Sequence, residues 1–430
     1  MHFYSTRRNI RQESINISQA MLKGLAEDGG LFIPENFPLI DWKSIDRHIS
    51  YQDFAKLFLK PFFLNDPLEK CLNHISDTCF NINLPVIKLN QHISVLELFH
   101  GPTLSFKDFG ARFLAGCLEC VPKNKIMTIM VATSGDTGSA VAAAFHKKKN
   151  IRVVILFPEN KITQRQQDQI TCWGDNILPI SVKGNFDDCQ RLVKSSFSNQ
   201  WWRDNMMLNT SNSINIGRIL PQATYYAYIS WRQFIFSEEK TNYIIPSGNI
   251  GNITAAFWAK KCGFPIAHIV ASQNENNTIV NYLKDDIEPS QDTVETVANA
   301  MDVGKPSNFE RLKSIFINRD DFLRNVQAYY SSDIEIIDKI KNIYNEFNYI
   351  VCPHTATAFC AYENIKLKNE RWTIVATADP SKFEEIIYRS IKRELLPGKR
   401  LQNLLDRKKH YTSIDSNMDS LKEAYIEFFL

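Results

Sequence analysis

The feature that most constrains this chain is a pattern that occurs twice. A continuous apolar run leads into a glycine-rich turn, then a helix-forming stretch, then a second apolar run. The first copy is IMTIMVAT (Ile126 to Thr133), SGDTG, SAVAAAFHKKK and IRVVILFP (Ile151 to Pro158). The second is YIIP from Tyr243, SGNIGN, ITAAFWAKKC and HIVAS. A short run that is apolar at every position predicts a strand covered on both faces, and a helix between two such strands makes them parallel. From Leu96 to about Ser390 strand and helix patterns alternate, with ISVLELF (Ile93 to Phe99) and WTIVAT (Trp372 to Thr377) as further strands. The expected fold class is therefore α/β, with two mostly parallel αβα units.

The flanks read differently. SINISQAMLKGLAEDGGLFIP predicts an amphipathic helix from about Ile17 to Leu25, ended by Gly29 and Gly30, and a short strand stopped by Pro34. YQDFAKLFLKPFF resumes the helical period, so the first ninety residues form a mostly helical cap. From Pro397 the chain is polar and helical in pattern, which predicts a tail packed on the surface. The expected division is a cap over 1–92, αβ units over 93–235 and 236–395, and a tail over 396–430.

Composition narrows the function. A chain of 430 residues exceeds one ordinary core, and a formal net charge of +3 gives no reason to invoke nucleic acid or an anionic membrane. No apolar run approaches membrane-spanning length, and MHFYSTRRNIRQES lacks a signal-peptide core, so a cytoplasmic location is expected. The nine cysteines are odd in number and scattered, which argues against a disulfide framework. Cys117 and Cys120 form a CxxC with no second pair, and the nine histidines show no metal spacing, so no metal is expected. The cluster Lys147 to Lys149 reads as a solvated helix end.

Three sites carry chemistry. In ELFHGPTLSFKDFGARF, Gly101 and Pro102 break a strand, Ser105 stands where a helix N-cap would stand, and Lys107 follows between aromatic rings. The positive end of a helix and apolar neighbours push an ammonium toward its neutral, nucleophilic form. A surface lysine whose stem covers apolar area is the competing reading. Gly248 to Asn252, with Ser247 before them, lie between a strand and a helix, an arrangement that cradles phosphate; it is neither a Walker loop nor GxGxxG. Thr133, Ser134, Gly135, Asp136 and Thr137 hold the same position in the first unit and suit a carboxylate. An ordinary glycine turn and a simple N-cap are the alternatives for these two. One lysine, one phosphate cradle and one carboxylate cradle together fit pyridoxal 5′-phosphate with an amino acid substrate.

Taken in order, the motifs GLAEDGGLFIP, FHGPTLSFKDFG, VATSGDTGSAVAAAF, VVILFPENKIT, NTSNSINIGRILPQ, IPSGNIGNITAAFWAK, NAMDVGKPSNFER, CPHTATAF and TADPSKF make the chain resemble the threonine synthases over nearly its whole length. These are pyridoxal-phosphate enzymes of the tryptophan-synthase-β kind (fold type II). The likeness is to the bacterial and fungal type with an N-terminal extension. The resemblance implies that Lys107 is the Schiff-base lysine and that Gly248, Asn249, Ile250, Gly251 and Asn252 hold the cofactor phosphate. It puts Thr377 opposite the pyridine nitrogen and Asp136 near the phenolic oxygen. Thr133, Ser134 and Thr137 receive the substrate carboxylate. Asn209, Ser213, Asn215, Arg218 and Lys305 are candidates for the substrate phosphate, with Arg218 alternatively a structural helix residue.

The implied reaction converts O-phospho-L-homoserine and water to L-threonine and phosphate in a monomer or homodimer, without nucleic acid or membrane. A dehydratase or other lyase of the same fold, and a non-catalytic homologue, are the competing functions. The chain departs from the family at Asp379, where histidine is frequent, and at Asn252, where aspartate is frequent. His100 and His354 are read as hydrogen-bonded structural histidines ahead of proton shuttles. Tyr225 to Tyr228 read as core or domain interface.

Overall fold

The computed structural model of the protein describes residues 1–7, 14–121, 125–288, 292–365, 367 and 369–430. Among them run thirteen strands: β1 (Phe3–Ser5), β2 (Phe32–Pro34), β3 (Val86–Lys88), β4 (Ile93–Glu97), β5 (Met127–Ala132), β6 (Ile151–Pro158), β7 (Ile177–Lys183), β8 (Met207–Asn209), β9 (Thr241–Pro246), β10 (Ile266–Gln273), β11 (Gln327–Tyr330), β12 (Trp372–Ala376) and β13 (Thr412–Asp415). A six-stranded sheet has the order β11-β10-β9-β12-β4-β3, and a five-stranded sheet has the order β13-β7-β6-β5-β8. Only the β3–β4 pair of these sheets is antiparallel.

The strands form where the apolar runs predicted them. β5, β9 and β12 are buried at every residue, as strands covered by helices on both faces must be. Both repeated patterns close as parallel units: β5 pairs with β6, and β9 with β10, each pair joined by one helix.

Sheet membership cuts across the expected units. β4 pairs in parallel with β12, so the strand that leads to Lys107 belongs with residues 236–395 and not with β5 to β8. Pairing over nearly 280 positions follows sheet geometry, which adjacency in the chain does not reveal. The tail is also more than a surface appendage. β13 extends the five-stranded sheet beside β7, and the helix Met418–Phe429 buries Leu421 and Tyr425 in a cluster with Met130, Val154 and Leu178.

In the cap, the first helix runs Ile17–Lys23 and ends at Gly24, with φ 69°, several residues before the expected Gly29–Gly30 stop. Asn16 starts it with a reciprocal capping box to Gln19. The helix Tyr51–Leu59 lies on the long helix Ile216–Ser237, where Phe54 meets Tyr228 and Trp231 with ring centroids 5.1 and 5.3 Å apart.

Candidate active site

The sheets place three turns at the carboxyl ends of parallel strands, where open α/β folds bind ligands. The first follows β4. Backbone bonds fasten it to the end of β12: Leu98 N–H donates to Ala376 O (2.9 Å), Phe106 N–H to Thr377 O (2.9 Å) and Asp379 N–H to Leu104 O (3.1 Å). Inside the turn the buried Asp108 carboxylate accepts Thr103 N–H (2.9 Å) and Oγ1–H (2.6 Å). A Cβ on Gly101 would stand 2.3 Å from Asp108 Oδ2, so only glycine fits there.

Lys107 is the first residue of the helix Lys107–Cys120. The expected cap at Ser105 is not made. Phe106 occupies the cap position without a side-chain bond, while Ser105 is buried, bridges Ala378 and has an unpartnered Oγ. Pairing with the 377–379 segment fixes this backbone, so no side-chain cap is needed to start the helix.

The second turn follows β5 and opens the helix Asp136–Phe145. Thr133 Oγ1 accepts the N–H groups of Gly135 (3.0 Å) and Gly138 (2.9 Å), which holds the turn in shape. Gly135 has φ 132°, a conformation other residues avoid. The third turn follows β9 and opens the helix Gly251–Lys261. A Cβ on Gly248 would lie 2.6 Å from Met301 Cα, and Ile250 has φ 63°, so the backbone is forced into a tight loop at the helix start. Tyr225 and Tyr226, read as core or domain interface, are buried and also donate their hydroxyls to Asn252 Oδ1 (2.5 and 2.9 Å). Asn252 Nδ2 is buried without a partner.

All three turns line one cleft of about 960 Å³, together with Thr377, His354 and the 300–307 loop. Its electrostatics centre on Lys107. Burial, with Lys382 and Arg218 nearby, lowers the amine from 10.5 to about 8 although Asp136 opposes the shift. Burial alone would raise Asp136, but the charges of Lys382 and Lys107 outweigh it and hold the carboxyl well below the usual range. Burial lowers His354 to about 4. Its Nε2 accepts Ala300 N–H (3.1 Å), so Nδ1 carries the proton; Nδ1 is buried and unpartnered. His354 is thus the structural histidine expected, but inside the cleft. His100 Nε2 pairs with Glu97 Oε2 (2.6 Å) and does not line the cleft.

Of the predicted residues, Lys107, Thr133, Ser134, Asp136, Thr137, Ser213, Arg218, Gly248, Asn249, Ile250, Gly251, Asn252, Lys305 and Thr377 share the cleft. Asn209 and Asn215 do not. Asn209 Nδ2 donates to Met21 O (3.1 Å) and Leu22 O (2.9 Å), and Asn215 Nδ2 to Met21 O (2.9 Å), satisfying carbonyls at the end of the helix Ile17–Lys23. A buried amide bonded this way is not free for a substrate phosphate. Arg218 combines both readings. It lines the cleft, yet Nη1 donates to Ser211 O, Nη2 to Lys107 O (3.4 Å), and Nε has no partner. A residue the sequence did not single out, Lys382, is wholly buried with Nζ 2.6 Å from Asp136 Oδ1. Its only sequence signal is a charged residue held in TADPSKF between a buried strand and Phe383.

A lysine at a helix start, flanked by two glycine turns at the ends of parallel strands, defines the class: a pyridoxal-phosphate-dependent enzyme of fold type II. The family model for pyridoxal-phosphate dependent enzymes matches residues 82–378. Models for the threonine synthase N terminus and the threonine synthase C-terminal region match 2–80 and 355–426. A threonine synthase of Buchnera aphidicola subsp. Baizongia pistaciae is 35% identical over 434 residues, covering 99% of this chain and all of that one. The crystal structure of threonine synthase from Escherichia coli superposes with a TM-score of 0.91 at 31% identity, covering 99% of this chain and 100% of the other. The pyridoxal-phosphate-bound threonine synthase of Brucella melitensis gives 0.91 at 28% identity, covering both chains fully. This chain belongs to the threonine synthase family.

The residues fit the cofactor. The Gly248–Asn252 loop stands at the start of the helix Gly251–Lys261 and carries the buried, unpartnered Asn252 Nδ2, a place and a donor that suit a phosphate. Lys107 stands in the same cleft with a lowered pKa, as an amine that reacts with an aldehyde requires.

Proposed function

We propose that this protein converts O-phospho-L-homoserine and water to L-threonine and phosphate, with Lys107 as the catalytic amine. The observation that carries this reading is the opening of Lys107 into a cleft bounded by both glycine turns, in a chain that threonine synthases match from end to end. Bound pyridoxal phosphate supplies an electron sink for negative charge at the substrate carbons.

The Gly248–Asn252 loop holds the cofactor phosphate at the start of the helix Gly251–Lys261. Thr377, at the end of β12, would offer the ring nitrogen an uncharged hydroxyl, which would leave that nitrogen less protonated than a carboxylate would. Asp136 would stand near the phenolic oxygen. Ser134, Thr137 and the N–H groups of the 133–138 turn receive the substrate carboxylate, with Thr133 holding the turn. Lys107, partly neutral near pH 8 because protein displaces its water, takes protons from Cα and Cβ and delivers protons to Cγ and back to Cα. Removal of the Cβ proton lets phosphate leave Cγ; Cγ then takes up a proton to become the methyl group, water adds its hydroxyl at Cβ, and a proton returns to Cα. Ser213, Lys305 and the Nη groups of Arg218 form the clamp for the departing phosphate. Asn249 Nδ2 and Asn308 Nδ2 both donate to Ser213 Oγ, which fixes that hydroxyl between the two sides of the cleft.

The enzyme works on this small molecule in the cytoplasm, as a monomer or homodimer, without nucleic acid or membrane. A net charge of +3 supports this reading, and no helix among the described residues is long and apolar enough to cross a membrane.

The test incubates wild type and Lys107→Ala with pyridoxal phosphate and O-phospho-L-homoserine and measures released phosphate and threonine together. Equal release of both by wild type, and a loss of at least about a thousandfold in the variant, is expected. Phosphate without threonine would mean an eliminating lyase that stops before hydration.

A further inference from the structure

Lys382 has no part in the chemistry derived above, yet its wholly buried side chain pairs with Asp136, which lines the cleft. It ends the short turn Pro380–Lys382, five residues after Thr377. Asp379 starts that turn: its Oδ1 accepts Ser381 N–H (2.8 Å) and Ser381 Oγ–H (2.6 Å). The aspartate that replaces the family's frequent histidine therefore acts as a cap. From this turn Lys382 Nζ reaches Asp136 Oδ1 at 2.6 Å and Thr103 O at 3.0 Å, with its side chain 0% exposed. Gln166 Nε2 donates to the same Oδ1 at 3.2 Å.

The two acceptors of Lys382 belong to turns that follow strands of different sheets. Thr103 belongs to the turn before Lys107, which follows β4 of the six-stranded sheet. Asp136 starts the helix that follows β5 of the five-stranded sheet. A buried ammonium is tolerated only when paired and hydrogen-bonded, and a carboxylate beside it stays ionised. The titratable groups facing Asp136 are Lys382, Lys107 and the neutral His354, and those facing Lys107 are Asp136, Lys382 and Arg218.

We propose that Lys382 is a positioning residue of the cofactor site, which bolts the Lys107 turn to Asp136 and balances the Asp136 charge beside the Lys107 nitrogen. The inference rests on the pyridoxal-phosphate reading above. Without Lys382 the Asp136 anion would act on that nitrogen uncompensated and hold its proton to higher pH. Without Asp136 the opposite would follow.

The test uses wild type, Lys382→Met, Lys382→Arg and Asp136→Asn, each loaded with pyridoxal phosphate. The visible absorbance of the bound cofactor is titrated through the neutral and alkaline range. Borohydride reduction with peptide mapping identifies the lysine attached to the cofactor. The expected result is attachment at Lys107 in every chain and a titration midpoint raised by about one pH unit or more in Lys382→Met, the effect of losing one close charge. The arginine variant returns the midpoint toward wild type, and Asp136→Asn lowers it. The aspartate variant keeps the question decidable if the methionine variant does not fold. An unchanged midpoint in Lys382→Met or in Asp136→Asn would overturn the proposal and leave Lys382 a structural bolt. A wild-type protein that develops no visible band and takes no label at Lys107 would instead overturn the cofactor reading beneath it.

Discussion

At the scale of single residues, His354 links the site to the stability of the protein. Its Nε2 accepts Ala300 N–H and so stays unprotonated, and burial holds its pKa at about 4 against 6.5 in an exposed histidine. As pH falls below 6.5, the unfolded chain binds a proton that the native chain refuses. This lowers stability until about pH 4, below which both states carry the proton. The full loss over that window is about 3 kcal/mol. His354→Gln removes this contribution, so the gap in urea midpoint between wild type and variant should change in favour of the variant as pH falls through the window. A gap independent of pH would refute the assignment. The histidine itself was visible in CPHTATAF, but its burial was not, because the ring is enclosed by Phe383 and the 300–302 turn from distant parts of the chain.

At the scale of elements, the two glycine turns were legible because each follows an apolar run and precedes a helix, and that order allows few backbones. The reason glycine is required at 248 was not legible, since it is the backbone of Met301. Gly248→Ala would place Cβ 2.6 Å from Met301 Cα and 3.1 Å from Met301 O. Neither neighbour is a flexible side-chain end, so one of the two turns must shift, at a cost of about 1–3 kcal/mol. Because the proposed phosphate cradle is one of them, affinity for pyridoxal phosphate should fall about tenfold or more, measured by absorbance titration of the apoprotein. Unchanged affinity would show that the 299–301 turn yields instead. The start of the helix at Lys107 shows the limit of local rules: its cap was expected at Ser105, but backbone bonds to Thr377 and from Asp379 set that terminus.

At the scale of the whole molecule, the C-terminal segment is part of the five-stranded sheet. β13 covers the outer edge of β7, and Tyr425 packs on Trp202 with ring centroids 4.9 Å apart while its hydroxyl meets Thr128 Oγ1 at 2.9 Å. Deleting 412–430 should expose the β7 edge and the apolar cluster around Met130, Val154 and Leu178. The expected outcome is loss of cooperative unfolding, with binding of a hydrophobic dye at neutral pH. A deleted chain that unfolds in one transition near the wild-type midpoint would return the segment to the role of a surface tail.

By itself the sequence determined the α/β class, the strands of both repeated patterns, the turn that carries Lys107 and both glycine turns. Each is written in a short contiguous run, where hydrophobic period, turn residues and helix starts act over a few positions. The tertiary structure alone decided which strands share a sheet, that Asn209 and Asn215 serve the end of a cap helix, and that Lys382 pairs with Asp136. Those outcomes depend on contacts between residues 188 to nearly 280 positions apart. Such contacts are set by how closed layers of helix and sheet bury polar groups together, and no local pattern in the chain records them.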